Sequence, residues 1–344
     1  MKPVLITGGS GFFGSILKAK LLRLGRPCVN IDLCGDQVIH PMLESVQGDI
    51  RDRPLLSDLF DRHKFDTIFH CAALLAHEVK NKRLLWDNNV EGTRRLAEQA
   101  ERSGSKRIIY TSTNCLWGSN LGYPIKEDEP PCPVELYGKS KLEGEKILRS
   151  HKAFDSIIIR CPTIIDSGRL GLLSILFEFM DEGRRIWLVG GGRNRYQFIF
   201  AQDLADACIL AQDYGHSDVF NIGSDNVKSF REVYEDVIHK SGSSSRTATL
   251  PRGPALAAMR IAHALGISPL GPYHYKMIAE DFIFDTSRIR ERLHWRPTVT
   301  NEEMLRLAYE FYRDNKSTLR RGTGVPAHLQ PSKLGIINLL KWLS

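Results

Sequence analysis

Short runs of β-branched and apolar residues alternate with stretches of helical periodicity through the first half of the chain. Val4-Leu5-Ile6 reads as a strand buried on both faces. Residues 15–24 follow with Ile16, Leu17, Leu21 and Leu22 on one side of a helix. Cys28-Val29-Asn30-Ile31 predicts a second strand, Glu44-Ser45-Val46-Gln47 a third and Thr67-Ile68-Phe69-His70-Cys71 a fourth. Arg107-Ile108-Ile109-Tyr110-Thr111 and Ile157-Ile158-Ile159-Arg160 supply the fifth and sixth, and Asp218-Val219-Phe220-Asn221-Ile222 returns late as the seventh. Helices are predicted to begin at Leu55 and to run over 86–102. Such alternation calls for an α/β fold, a doubly wound parallel sheet of about seven strands with ligands at the strands' carboxyl ends.

Beyond the sixth strand the pattern loosens. Helical periodicity marks 168–183, 202–212, 230–240 and 302–312, with a turn at Gly190-Gly191-Gly192. The division that follows is a sheet domain over 1–162, rejoined by 198–223, and a smaller, mostly helical domain over 163–197 and 224–320. Residues 255–265 form a mostly apolar helix between Pro254 and Pro269. Core packing is the preferred reading of it, with a lid or a membrane-touching face as the alternative. Residues 321–344 are a tail ending in the apolar stretch Leu334 to Leu343. Docking on the body or on a second subunit is the plainer reading of that tail, and peripheral contact with an anionic membrane the sharper one.

Composition narrows the setting. A chain of 344 residues, 42% of them hydrophobic, holds one large domain or two coupled ones. No apolar run reaches membrane-spanning length, and the N-terminus enters a strand without a signal-peptide pattern. Seven cysteines without any C-x-x-C argue for a reducing cytoplasm and against a disulfide framework or zinc site. His63, His77, His216 and His294 lack ligand spacing, so no metal is expected. Much of the net charge of +7 lies in the last segment, where Arg313, Lys316, Arg320, Arg321, Lys333 and Lys341 face Asp314 alone. The body is nearly balanced, which argues against nucleic-acid binding.

Chemistry enters at the first turn. Gly8, Gly11 and Gly14 fit G-x-x-G-x-x-G between a strand and a helix, and Gly9, Gly11 and Gly14 fit G-x-G-x-x-G. The turn must be tight, and the backbone around Phe12 and Phe13 must approach a pyrophosphate without obstruction. Asp32, at the end of the next apolar run, has the place and charge to accept ribose hydroxyls and repel a 2′-phosphate, favouring NAD over NADP. The plainer reading of Asp32 is a strand-end turn cap. Asp49 and Ile50 are placed to border an adenine, and the small Ala72 and Ala73 to admit a flat ring.

Tyr137 and Lys141 stand four apart on one helical face. An ammonium near a phenol favours the phenolate, giving an acid/base group usable near neutral pH. In the run Tyr110 to Gly118 at the end of the fifth strand, which holds Ser112 and Thr113, a hydroxyl can meet the same substrate oxygen. Turn capping is the plainer role for these hydroxyls, and half-buried packing for Tyr137.

Taken together, these motifs resemble the extended short-chain dehydrogenases/reductases, the NAD-dependent epimerase/dehydratase family, from Lys2 to about Tyr312. Further matching stretches are Gly48-Asp49-Ile50-Arg51-Asp52, His70-Cys71-Ala72-Ala73, Asn89-Val90-Glu91-Gly92-Thr93, Phe220-Asn221-Ile222-Gly223 and Trp295-Arg296-Pro297. The resemblance implies a Rossmann-type sheet, a homodimer and NAD as cofactor. It implies Tyr137 as general acid/base, Lys141 on the nicotinamide ribose and Thr113 on the reacting oxygen. Ser112 and Asn89 would lie near the nicotinamide, and Pro162 beside its carboxamide.

Departures bear on the substrate. Related sugar dehydratases carry an Asp-Glu pair where this chain has Asn114 and Cys115, which cannot do that proton work. Tyr196 stands where nucleotide-sugar enzymes usually have a diphosphate-gripping arginine, and Thr163 follows Pro162 without the asparagine common in that branch. Arg193 or Arg195 is the candidate to compensate, so Asn114, Thr163, Arg193, Arg195 and Tyr196 are the candidate substrate residues. The resulting expectation is an epimerase or oxidoreductase acting on a secondary alcohol of a nucleotide-activated sugar. The alternatives are a 3β-hydroxysteroid dehydrogenase-like enzyme on a sterol or other lipid alcohol, and an NAD-binding regulatory protein without turnover.

Overall fold

In the computed structural model, which describes residues 2–75, 81–118, 120–171, 173–265 and 272–321, all seven expected strands join one sheet. In chain order the strands are β1 (Val4–Thr7), β2 (Cys28–Asp32), β3 (Leu43–Gln47), β4 (Thr67–His70), β5 (Arg107–Thr113) and β6 (Asp155–Cys161). There follow β7 (Thr163–Ile165), β8 (Arg185–Val189), β9 (Phe198–Phe200), β10 (Asp218–Asn221) and β11 (Arg246–Leu250). The large sheet runs β10-β6-β5-β4-β1-β2-β3 with every neighbour parallel. Its order reverses between β1 and β4, so the loops leaving those two strands flank a crevice at their carboxyl ends.

Burial explains the strand sequences. Val4–Thr7 and Thr67–His70 are buried at every position, as helices on both faces require, whereas edge strand β3 is partly exposed throughout. One face packs against helices Phe12–Arg23, Ala201–Leu210 and Ser287–Leu293 through Leu17, Leu21, Leu204 and Ile289. The other packs against Arg53–Arg62, Gly92–Ser103 and Leu136–Ser150 through Phe60, Leu96 and Leu148. A separate core gathers Phe177, Tyr196, Phe198, Phe230, Phe282 and Tyr309, beside two small parallel sheets, β8 with β11 and β7 with β9. Those four short strands were not legible in the sequence, being three to five residues long and without clear alternation.

Three helices differ from expectation. The predicted helix at 86–102 is interrupted by a π turn over Asp87–Glu91, set between helices Lys82–Trp86 and Gly92–Ser103. The helix expected over 302–312 continues to Arg321, the last residue described, since neither Gly nor Pro interrupts residues 313–321. Residues 255–265 do not pack as core: in the helix Arg252–Ala264 only Ala262 is buried, and Ile261 is 62% exposed. The expected tail contact falls on residues outside those described. Among the described residues no helix is long and apolar enough to cross a membrane, and no cluster of side chains has the makings of a metal site.

Candidate active site

The first turn is built around missing side chains. Gly8 lies at φ +76°, and a Cβ there would stand 2.7 Å from the backbone nitrogen of Ala72. A Cβ on Gly14 would meet the Gly8 carbonyl oxygen at 2.1 Å. Helix Phe12–Arg23 therefore starts directly against β1, with no side-chain cap and no acidic residue in its first turn. A helix end left in that state suits an anion. The loop is pinned from β2: Gly9 N–H donates to Asn30 Oδ1 at 2.9 Å and Ser10 N–H to Asp32 Oδ2 at 2.9 Å. Asp32 also accepts from Cys34 N–H. The turn-cap role is thus real, and each carboxylate oxygen keeps a lone pair for a ribose hydroxyl. Behind the loop Asn30 and Ser45 donate to Asp36, which pairs with the buried Lys18.

Under the crevice runs a polar chain that was not foreseen. Thr93 donates its hydroxyl hydrogen to the Asn89 carbonyl at 2.7 Å, so His70 Nε2 must donate to Thr93 Oγ1 at 2.8 Å. His70 Nδ1 then accepts from the Thr7 hydroxyl at 2.7 Å. Burial pushes the His70 ring down to about 3, with Lys141 adding to the effect, and this keeps it neutral in that one tautomer. Asn89 sits on the π turn and clamps the backbone of Leu74 through N–H and C=O. It also donates to Ser140 on the helix Leu136–Ser150 at 3.1 Å. Its side chain joins the loop after β4 to the helix that carries Tyr137.

Gly138 and Gly144 let that helix lie close to β5, since a Cβ would meet the Cys115 carbonyl at 2.2 Å and the Tyr110 hydroxyl at 2.4 Å. The Lys141 ammonium consequently sits 3.9 Å over the Tyr110 ring, within electrostatic reach of Cys71 and Cys161 at the ends of β4 and β6. Burial lowers Lys141 to about 8. The Tyr137 phenol is not lowered as expected: burial, then Cys115, Cys161 and Tyr110, hold it well above 10, with Arg169 pulling weakly the other way. In the chain alone the phenol is therefore protonated. Burial also pushes the Cys71 and Cys161 thiols up to about 12, so they line the site as neutral groups.

The two adjacent hydroxyls part company. Thr113 accepts from Cys115 N–H at 3.1 Å, the capping role, in the turn that Gly138 packs against. Ser112 points to the opposite face and donates to Glu145 at 2.5 Å. There Glu145 takes a two-pronged bond from the buried Arg160, at 2.7 and 3.0 Å. The pleat alternates side chains across a strand, so neighbours cannot both face one substrate oxygen. Ser112 is corrected here to a buried structural partner.

Among the candidate substrate residues, Asn114 and Tyr196 meet: the Asn114 amide donates to the Tyr196 hydroxyl at 2.6 Å. Both are buried, and Tyr196 stacks with Phe230 in the second core, which explains its replacing a surface-seeking arginine. Arg195 is exposed and leans on Asp281, and Arg193 is exposed nearby. Pro162 is buried and Thr163 half-buried between β6 and β9. Asp49 is taken up by Arg51 at 2.6 Å, and Ile50 is buried against Gly92. Arg169, absent from the sequence reading, brings its guanidinium 5.2 Å over the Phe12 ring while acting on Tyr137. Its place in an irregular loop gave no sequence signal.

Comparison with known proteins adds context. A sequence profile described as the NAD dependent epimerase/dehydratase family matches residues 4–223. The uncharacterized protein y4nG of Sinorhizobium fredii is 35% identical over 99% of this chain and 86% of its own length. A UDP-glucose 4-epimerase of Mycolicibacterium smegmatis is 28% identical over 91% of this chain and 99% of its own. The crystal structure of UDP-glucose 4-epimerase with UDP-glucose from Thermotoga maritima superposes with a TM-score of 0.75 at 23% identity, covering 91% of this chain and 99% of that one.

Proposed function

This chain belongs to the NAD-dependent epimerase/dehydratase family, and from that premise we propose that it epimerises a secondary alcohol of a nucleotide-activated sugar, with Tyr137 as acid/base. The observation that carries this reading is the buried Lys141 ammonium at the carboxyl ends of β4, β5 and β6, one turn after Tyr137 and across the crevice from the glycine loop. NAD, when bound, supplies the acceptor that takes a hydride from the alcohol carbon and returns it.

The chain's own residues do the rest. The uncapped helix end after Gly11 receives the pyrophosphate, and Asp32 accepts the ribose hydroxyls. Tyr137 takes the hydroxyl proton as the alcohol is oxidised and gives it back on reduction, while Thr113 donates to the reacting oxygen. Lys141 holds the nicotinamide ribose and supports the phenolate with its charge. Arg169 and Arg193 are the cations to meet the substrate diphosphate. A nucleotide sugar is favoured because UDP-glucose is the ligand of the Thermotoga maritima structure and the named substrate of the Mycolicibacterium smegmatis relative.

Incubation with NAD and UDP-glucose, or another UDP-, GDP- or dTDP-sugar, should yield a sugar epimer with no net build-up of reduced cofactor. Oxidation of a hydroxysteroid with stoichiometric NADH, and no sugar turnover, would replace the reading with its lipid-alcohol alternative. Cofactor choice is a separate prediction. NAD should bind roughly tenfold or more tighter than NADP, because a 2′-phosphate would face the Asp32 carboxylate in a partly dry crevice. Equal dissociation constants by titration calorimetry would mean that Asp32 only caps its turn.

A further inference from the structure

The helix Arg252–Ala264 is apolar on two sides. Inward, Ala262 is buried, Leu256 and Met259 are half-buried, and Tyr275 donates to the Met259 carbonyl at 3.0 Å. Outward, Pro254, Ala257, Ala258, Ile261, Ala264 and Leu265 recur at helical spacing and are all exposed, Ile261 to 62% and Leu265 to 68%. A second apolar stripe, outside the one a helix buries, is surface that an apolar phase would cover. Charge identifies which phase.

No Asp or Glu occurs from residue 237 to 279, where the chain's 40 acidic residues would place about five, while Lys240, Arg246, Arg252, Arg260 and Lys276 fall within it. Arg246, Arg252 and Arg260 are exposed and make no ion pair among the described residues. A second acid-free stretch, 315–344, carries Lys316, Arg320, Arg321, Lys333 and Lys341. Lys316, at the start of that stretch, pairs with Asp181 just before β8, the strand on which the helix Arg252–Ala264 packs. Two like-charged segments repel one another and share an affinity for a negative surface.

We propose that the outward face of the helix Arg252–Ala264 docks peripherally on an anionic lipid surface, with Ile261 and Leu265 entering the headgroup boundary and Arg260, on the flank of that face, meeting lipid phosphates. Each arginine within a screening length adds about fivefold to the partition constant, and this falls as salt rises. The site acts as a tether, independent of the reaction chemistry.

The test is co-sedimentation of the full chain with vesicles of phosphatidylcholine alone and of an equimolar mixture with phosphatidylglycerol. Pelleting on the mixture only, reversed by high salt, is the expected result. Ile261→Asp with Leu265→Asp should cut binding at least about tenfold, and Arg260→Glu likewise. These side chains are exposed, so the variants should keep the parent's melting temperature. Absence of pelleting on either vesicle overturns the proposal. So does binding that survives both variants and vanishes in a chain ending at Arg321, which would assign it to the tail. Variants that change only the oligomeric state would assign the face to a second copy of the chain and overturn it as well.

Discussion

Tyr137→Phe is expected to lower turnover by at least about 10²-fold while leaving the melting temperature and NAD affinity close to the parent's. The substitution removes one hydroxyl from a half-buried ring and nothing that the helix Leu136–Ser150 needs to fold. Burial holds the free phenol well above its ordinary value, so in the proposed mechanism the proton transfer relies on the Lys141 charge one turn away and on the positive nicotinamide. That dependence has a direction. Lys141, lowered by burial to about 8, is cationic below that pH and loses its proton above it. Parent activity should therefore fall as pH rises through about 8, although an isolated lysine would keep its charge beyond pH 10. Unimpaired turnover in Tyr137→Phe would remove Tyr137 from the chemistry. A rate still rising through pH 9 would show that the Lys141 charge is not required.

The largest stability loss is expected from Glu145→Gln. Glu145 and Arg160 are almost completely buried, their side chains 2% and 3% exposed, and Arg160 also donates to the Glu127 carbonyl at 2.8 Å. Removing one charge leaves the guanidinium buried without its partner, a change that costs about 3–5 kcal/mol. Ser112 loses the carboxylate it donates to as well. Replacing both members, as in Glu145→Leu with Arg160→Met, removes the uncompensated charge and should recover most of the loss. Urea midpoints measured at unchanged slope decide the matter. A midpoint for Glu145→Gln within experimental error of the parent's would mean that water reaches the pair. The cluster lies on the face of β5 opposite Thr113, so both variants test the scaffold under the site without touching substrate.

These two residues also mark how the site divides between sequence and structure. Tyr137 and Lys141 were legible because four-residue spacing on a helix is local geometry. Glu145 was not singled out, because its partners Ser112 and Arg160 lie 33 and 15 residues away and only the packing of helix on strand joins them. Ser112 was misassigned for want of a signal that was available, the two-residue alternation that separates it from Thr113. Thr7, His70 and Thr93 stood in recognised stretches, yet their hydrogen-bonded chain spans β1, β4 and the helix Gly92–Ser103.

The sequence by itself determined the seven strands, the glycine turn with Asp32 behind it and the placing of Tyr137 one turn before Lys141. Each depends on burial pattern, backbone freedom or periodicity within one continuous stretch of chain, where there are few alternatives. Tertiary structure alone decided which way the side chains face and what they meet. It paired Asn114 with Tyr196 across 82 residues, brought Arg169 to Phe12 and left one face of the helix Arg252–Ala264 in solvent. An apolar residue records a preference for burial. Whether a partner surface arrives to bury it depends on how distant elements pack, and local sequence does not encode that.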